Sequence, residues 1–187
     1  MEGGIDHERL ARLFAEARAA LARHGVTDAG LAAIGALLAE LAREAWIRAV
    51  PLAPKHGGRS ESRVLRSDGP DDLTLTLARF AAGRPTGVHD HGSWGVACVV
   101  DGHDRYQRWE RLDAGEVPGR ARLRLVAEHV AGPGAVTYWF DRPHDIHNQQ
   151  GEGGPVRELV LFGRDTSRIP RRYFDPVAGT VREALPV

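Results

Sequence analysis

The chain has 187 residues and a balanced charge, with 25 Lys and Arg against 25 Asp and Glu, so its net charge is zero when the nine histidines are neutral. This balance gives no electrostatic reason to expect a nucleic acid or an anionic membrane as partner. The single cysteine excludes an internal disulfide framework, and no run approaches the ~20 apolar residues that span a bilayer. We therefore expect a cytoplasmic single-domain protein, monomeric or homodimeric, whose partners are small molecules.

Residues 5–47 have the pattern of two helices. Alanine and leucine dominate there, and apolar residues recur at helical spacing in two runs. Gly25 is typical of a helix end and Thr27 of the N-cap of a following helix, so the segment predicts an αα-hairpin. An alanine and leucine stripe usually serves packing, and we expect the hairpin to cover a sheet. Residues 50–58, with two prolines and a glycine pair, are interpreted as a connector.

From residue 60 to residue 187 the apolar pattern changes to period two, most clearly in 73–80 and 121–126. Turn signals separate these runs at 68–69, 101–102, 132–134 and 151–154. Alternating strands divided in this way predict an antiparallel sandwich or barrel. We therefore predict one domain in which helices within 5–47 pack on a β-barrel formed by 60–187.

Two histidines one residue apart, His89 and His91, lie in an apparent strand between glycine turns. Side chains at i and i+2 of a strand point to the same face, so both imidazoles can reach one metal ion while Asp90 points the other way. Neutral imidazole suits iron, zinc, copper or nickel, and two ligands leave the ion needing at least one more. A third histidine is therefore expected downstream.

The candidates for this third ligand are His144 and His147. They are three residues apart, a spacing that does not share a strand face, so we expect only one of them to bind the metal. His144 follows a proline in a predicted turn, whereas His147 follows Ile146 and opens a predicted strand. We favour His147 and keep His144 as the alternative. The remaining histidines are interpreted as solvated or hydrogen-bonded side chains: His7, His24, His56, His103 and His129.

With these residues the chain resembles the cupin superfamily. Gly83, His89, His91 and Gly102 match the spacing of the first cupin motif, but Gly95 stands where that motif has a glutamate ligand. The resemblance implies a mostly β fold, the double-stranded β-helix or jelly roll, here with an N-terminal α-helical hairpin.

The chain is more closely similar to the cysteine dioxygenase type of thiol dioxygenases, which have three histidine ligands and no carboxylate. The His-Asp-His sequence of that family is present at 89–91, and its later aliphatic residue followed by histidine corresponds to Ile146 and His147. The resemblance implies Fe(II) held by His89, His91 and His147. It also implies oxidation by O2 of a small thiol carboxylate, such as cysteine, 3-mercaptopropionate or mercaptosuccinate, to a sulfinate.

An arginine 26 residues before the first histidine also matches the family, and here it is Arg63. The resemblance implies that Arg63 holds the substrate carboxylate, a role that suits the planar guanidinium fork. Three nearby arginines, Arg66, Arg79 and Arg84, are alternatives for this role.

The chain departs from the family on the strand after the third histidine. Thiol dioxygenases carry Ser-x-His-x-Tyr there, and the corresponding residues are Glu158, Val160 and Phe162. A Cys–Tyr cross-link is excluded, because Phe162 cannot form it and Val96 occupies the partner position. Cys98 is interpreted as a small buried hydrophobe. Glu158 is interpreted either as an acid that hydrogen-bonds near the metal or as an exposed strand carboxylate.

These departures keep two alternatives open. One is another metal-dependent cupin enzyme, such as a dioxygenase that cleaves a carbon–carbon bond or an isomerase. The other is a non-catalytic module that binds a metal or a small molecule, because a fold alone does not determine function. The identity of the metal also stays open, since imidazole accepts several metals.

Overall fold

The computed structural model describes residues 4–55 and 60–186, which form three helices and two antiparallel β-sheets. The helices are α1 (His7–His24), α2 (Asp28–Leu41) and α3 (Ala45–Ala49). The strands are β1 (Ala53–Lys55), β2 (Ser60–Ser67), β3 (Thr74–Phe80), β4 (Val88–His89), β5 (Gly95–Asp101), β6 (Asp104–Arg111), β7 (Leu123–Ala131), β8 (Val136–Trp139), β9 (His147–Gly151), β10 (Val156–Phe162), β11 (Arg171–Asp175) and β12 (Thr180–Ala184).

The predicted helical hairpin is confirmed, and its ends follow local chemistry. Gly25 ends α1 with a φ of 67°, a left-handed conformation that favours glycine. Thr27 begins α2, and its hydroxyl accepts a hydrogen bond from the backbone N–H of Gly30 at 3.3 Å. The short helix α3, which the apolar periodicity did not separate from the hairpin, follows and buries Ile47.

The helices cover the outer face of the first sheet. Apolar side chains of α1 and α2 form one buried cluster with those of the central strands β3, β5 and β10. Cys98 belongs to this cluster, so its interpretation as a small buried hydrophobe is confirmed, and burial raises the pKa of its thiol to about 11. The thiol faces the helices, on the side of the sheet away from the second sheet.

The two sheets have the strand orders β1-β2-β3-β10-β5-β8 and β12-β11-β4-β9-β6-β7. From β3 to β11 the chain passes repeatedly from one sheet to the other, and within that stretch only β6 and β7 are consecutive strands of the same sheet. The fold is therefore mostly β, a jelly roll of two sheets with N-terminal helices, as predicted. None of the helices in the described ranges is long and apolar enough to cross a membrane.

Two details of the predicted elements differ. The strand expected at 121–126 begins at Leu123 and continues to Ala131. Part of the expected connector forms β1, which pairs with β2 although Pro54 lies within it. The rest of that connector, 56–58 with His56, lies outside the described residues.

The short strand β4 positions the candidate site. It lies between β9 and β11 in the second sheet, where His89 is opposite His147 on one side and opposite Tyr173 on the other. β4 is only two residues long, and it therefore brings together β9 and β11, which are distant from it in the chain.

Candidate metal centre

The structure brings His89, His91 and His147 together inside the barrel. All three are buried, and their ligand nitrogens lie within 4.8 Å of one another. The Nε2 atoms of His91 and His147 are 3.3 Å apart. Of the two candidates for the third ligand, the structure places His147 in this group, while His144 is exposed in the preceding turn.

Backbone carbonyls orient two of the imidazoles. Nδ1 of His89 lies 2.8 Å from the carbonyl oxygen of Gly87, and Nδ1 of His147 lies 3.0 Å from that of Asp145. A carbonyl oxygen only accepts, so each Nδ1 carries the proton and donates it. The lone pair of each ring is then on Nε2, the nitrogen available to a metal. These two nitrogens and a ligand nitrogen of His91 lie within 4.8 Å of one another, so the arrangement fits a divalent metal ion.

The environment keeps these rings neutral. Burial lowers the pKa of His147 to about 4. Burial, together with the nearby Arg171 and the other two imidazoles, holds the pKa of His91 well below its usual range. At neutral pH both rings are therefore in the form that binds metals.

Two acids anchor the backbone on either side of His91. The Asp90 carboxylate points away from the centre, as predicted, and accepts hydrogen bonds from the guanidinium groups of Arg142 and Arg172. On the other side, the Asp145 carboxylate accepts the backbone N–H of His91 at 2.9 Å and that of the next residue at 2.8 Å. Burial raises the pKa of Asp145 to about 6. These contacts hold the first histidine pair in place.

A tryptophan fills the place where the cupin motif has a glutamate ligand. A Cβ atom at Gly95 would lie 2.3 Å from the ring of Trp139, which is opposite it on β8. The Trp139 ring centre is 5.7 Å from that of His91 and 5.0 Å from that of His147, and its Nε1 donates to the carbonyl oxygen of Ser93. The packing of Trp139 against Gly95 therefore leaves no space for a carboxylate side chain at this position.

We expect Gly95→Ala to lower the free energy of unfolding by about 1–3 kcal/mol, because the added methyl group forces the indole of Trp139 off its position. The displaced ring would also disturb His91 and weaken metal binding. Urea denaturation and metal titration measure the two effects. Gly87→Ala is the matched control, since a methyl group added there would meet no other atom within 4 Å. Equal stability of the two variants would contradict the packing argument.

A cavity of about 730 Å³ opens beside the histidines, between the two sheets. An apolar cluster of Ala97, Trp139, Val160 and Phe162 forms part of its wall. The ring of Phe162 is centred 4.9 Å from that of His91. The residues at the Ser-x-His-x-Tyr positions therefore do face the centre, but two of the three are apolar.

Glu158 also faces this cavity. It is only 2% exposed, so the interpretation as an exposed strand carboxylate is wrong. The reason is that its side chain points from β10 into the space between the two sheets, where Gln149 of β9 contacts it. Its Oε2 accepts a hydrogen bond from Nε2 of Gln149 at 3.1 Å.

The position of Arg63 does not fit the role of a carboxylate ligand. Arg63 is exposed, and it lies opposite Leu77, whose side chain packs in the cluster under the helices. It is therefore on the face of β2 away from the cavity, which its neighbours on that strand, Ser62 and Val64, line instead. The three alternatives are also engaged elsewhere or exposed: Arg66 pairs with Asp68, Arg79 pairs with Glu61, and Arg84 is exposed.

The arginine that does line the cavity is Arg171 on β11, which the sequence did not single out. Its Nε atom is buried without a hydrogen-bond partner among the described residues, and Nη2 lies 3.5 Å from the hydroxyl of Thr166. It is close enough to His91 and His147 to lower the pKa of each. The sequence signal for it was alternation in β11, which puts Arg171 on the same face as Tyr173, but only pairing with β4 brings that face to the centre.

No protein-family model matches the chain, and no curated protein matches it. The chain is similar to solved cupin structures. One is an RmlC-like cupin protein from Ralstonia eutropha JMP134, with 17% identity over 73% of this chain and 75% of the other and a TM-score of 0.47. Another is a cupin superfamily protein from Desulfitobacterium hafniense DCB-2, with 15% identity, 64% and 87% coverage and a TM-score of 0.43.

A third similar structure is one of two DMSP lyases, with 12% identity over 88% of this chain and 99% of the other and a TM-score of 0.49. We assign the fold from the strand order of this chain and the site from its own geometry.

Proposed function

We propose that the protein is a non-haem Fe(II) dioxygenase that oxidises the thiol of a small thiol carboxylate with O2. The reaction adds both oxygen atoms to sulfur and converts RSH and O2 into the sulfinic acid RSO2H. The observation that carries the proposal is a buried set of three neutral imidazoles, without a carboxylate, in the wall of a cavity that also contains a buried arginine. Iron(II) held by His89, His91 and His147 would supply open coordination positions at which a thiol and O2 react.

Arg171 would bind the carboxylate of the substrate. Its Nε is buried without a hydrogen-bond partner among the described residues, and a bound anion would compensate both this unpaired donor and the buried charge. The planar guanidinium can hold a carboxylate through two parallel hydrogen bonds. Such a contact would orient the substrate so that its thiol faces the histidines. Trp139, Val160 and Phe162 would exclude water from the same region.

One observation favours the alternative of another metal-dependent cupin enzyme, which cleaves a carbon–carbon bond or isomerises its substrate. The cavity volume of about 730 Å³ falls within the roughly 300–1,000 Å³ of pockets that hold drug-sized ligands. A substrate larger than cysteine therefore fits. A non-catalytic binding module would bind a ligand here without turnover.

Oxygen consumption tests the proposal. Protein loaded anaerobically with iron(II) is mixed with cysteine, 3-mercaptopropionate, mercaptosuccinate and a set of non-thiol carbonyl compounds, and oxygen uptake and sulfinate formation are followed. We expect uptake with one thiol, matched by its sulfinate. Uptake only with a carbonyl compound would favour the alternative enzyme, and no uptake despite bound iron would favour the binding module.

Arg171→Met is expected to raise KM for the active thiol carboxylate about 10-fold or more, because it removes a charge-assisted contact to the carboxylate. Steady-state oxygen uptake measures this change. Arg63→Met is the matched control, because it makes the same substitution on the exposed face of β2. A raised KM in the Arg63 variant, with Arg171→Met unchanged, would return the carboxylate role to Arg63.

A further inference from the structure

A pair of buried acids, Glu158 on β10 and Asp104 on β6, lies beside the cavity and has no part in the function proposed above. Each is 2% exposed, and their side chains hydrogen-bond to each other. Two carboxyl groups can share a hydrogen bond only if one of them carries a proton. The pair therefore holds at least one proton and at most one negative charge.

No cation among the described residues forms an ion pair with either acid. The ion pairs among residues 4–55 and 60–186 include neither acid, and Oδ1 of Asp104 has no hydrogen-bond partner there. The neighbouring strands β3 and β5 present Ala78 and Val99 opposite Glu158, and β9 presents the amide of Gln149.

The titratable groups that interact with the pair are themselves without positive charge. They are the phenol of Tyr106 on β6 and the thiol of Cys98 on β5, and the acids act on the pKa of both. Burial raises the pKa of Asp104 to about 7 and holds that of Glu158 well above its usual range. Buried acids normally find a cation or a full set of donors, whereas in the described part of the chain this pair has no ion-pair partner and Oδ1 of Asp104 has no donor.

Glu158 is placed where a ligand could supply that partner. Glu158 lines the cavity, whereas Asp104 is not among the residues that line it. The amide that donates to Glu158 belongs to Gln149, two residues after His147 on β9. Side chains at i and i+2 share a strand face and are about 6–7 Å apart, so the side chain that donates to Glu158 is the neighbour of His147 on that face.

We propose that Glu158 is a second substrate-binding residue, which accepts hydrogen bonds from an ammonium group of the substrate. The proposal rests on the function proposed above in that it takes this cavity as the substrate site. The ligand class is then an amino-acid zwitterion, with its carboxylate on Arg171 and its ammonium group on Glu158. Among the thiols considered, cysteine has this group. 3-Mercaptopropionate lacks it, and the second carboxylate of mercaptosuccinate would be repelled.

Calorimetric titration of the iron(II)-loaded protein without oxygen tests this proposal with two pairs of probes. Cysteine and 3-mercaptopropionate differ only by the amino group, and so do the thiol-free pair norleucine and hexanoate. We expect the amino member of each pair to bind about 10-fold or more tightly, as a charge-assisted hydrogen bond would provide. Glu158→Gln should remove this preference while keeping the shape of the side chain.

Three variants complete the design. Glu61→Gln is the matched control, because the Glu61 side chain is on the Arg63 face of β2 and is already paired with Arg79, and it should keep the preference. Asp104→Asn should keep it too, since Glu158 still lines the cavity. Glu158→Asp, which shortens the side chain but keeps its charge, replaces Glu158→Gln if that variant does not fold, and it should weaken the preference. A preference caused by chelation of the amino group to iron would survive Glu158→Gln and would overturn the proposal.

Equal affinity for the two members of each pair, or no binding of any of the four probes, would also overturn it. A preference that disappears in Glu158→Gln, together with a lack of oxygen uptake with every thiol, would instead leave the ammonium site standing and reject the dioxygenase function.

Discussion

Replacing His147 with alanine is expected to abolish stoichiometric metal binding and, with it, oxygen uptake. The substitution removes one of three buried imidazoles whose ligand nitrogens lie within 4.8 Å of one another, and the set contains no carboxylate to compensate. Loss of a group that only orients a ligand costs about 10- to 100-fold in metal affinity, so loss of the ligand itself should exceed about 100-fold. Metal content after dialysis and a titration of the remaining affinity give the result.

His144→Ala is the matched control for this prediction. It removes the same side chain three residues earlier, at an exposed position outside the group, and should leave metal content unchanged. Full metal content in the His147 variant, with loss in the His144 variant, would show that the third ligand had been misassigned. Circular dichroism of both variants separates loss of the ligand from loss of the fold.

Asp90→Asn should lower the free energy of unfolding by about 3–5 kcal/mol, the loss typical of a buried ion pair that is deprived of one partner. Asp90 is fully buried and accepts hydrogen bonds from Arg142, from Arg172 and from the backbone N–H of Arg172. An amide offers one acceptor atom in place of two and removes the buried carboxylate charge that pairs with both guanidinium groups. Urea denaturation of the metal-free protein measures the difference without a contribution from metal binding.

An exposed pair supplies the comparison for Asp90→Asn. Glu110 and Arg124 form a salt bridge in which both side chains are more than half exposed, so Glu110→Gln should cost no more than about 1 kcal/mol. If the two substitutions cost the same, the Asp90 network does not stabilise the strands around the histidines. In that case the site would have to be held by the Asp145 contacts and by packing.

Interactions between residues close in the sequence were sufficient to predict much of the fold. The helical hairpin follows from apolar spacing with Gly25 and Thr27 at the break, and both residues form their capping hydrogen bonds within four positions along the chain. The period of a strand predicted that His89 and His91 reach one centre, and both do, although β4 ends at His89 and His91 lies in the loop that follows. The preference for His147 over His144 rested on the turn beside Pro143, and the structure places these two residues as that turn predicts.

The substrate side of the candidate site could not be predicted in this way. A count of residues selected Arg63, but the pairing of β2 with β3 puts that side chain opposite Leu77 and outside the cavity. Arg171 reaches the histidines because β11 pairs with β4, a contact between segments more than 80 residues apart. No spacing within either segment encodes that contact.

The elements that depend on near neighbours are encoded locally: the helical hairpin, its caps, the alternating strands and the histidine pair. Contacts between distant segments bring the cavity side chains together, including Arg171, Glu158 and the indole that occupies the space beside Gly95. The direction of a strand side chain depends on local backbone geometry, whereas its surroundings depend on the register between strands. A shift of one residue in that register would turn every side chain of the strand to the other face.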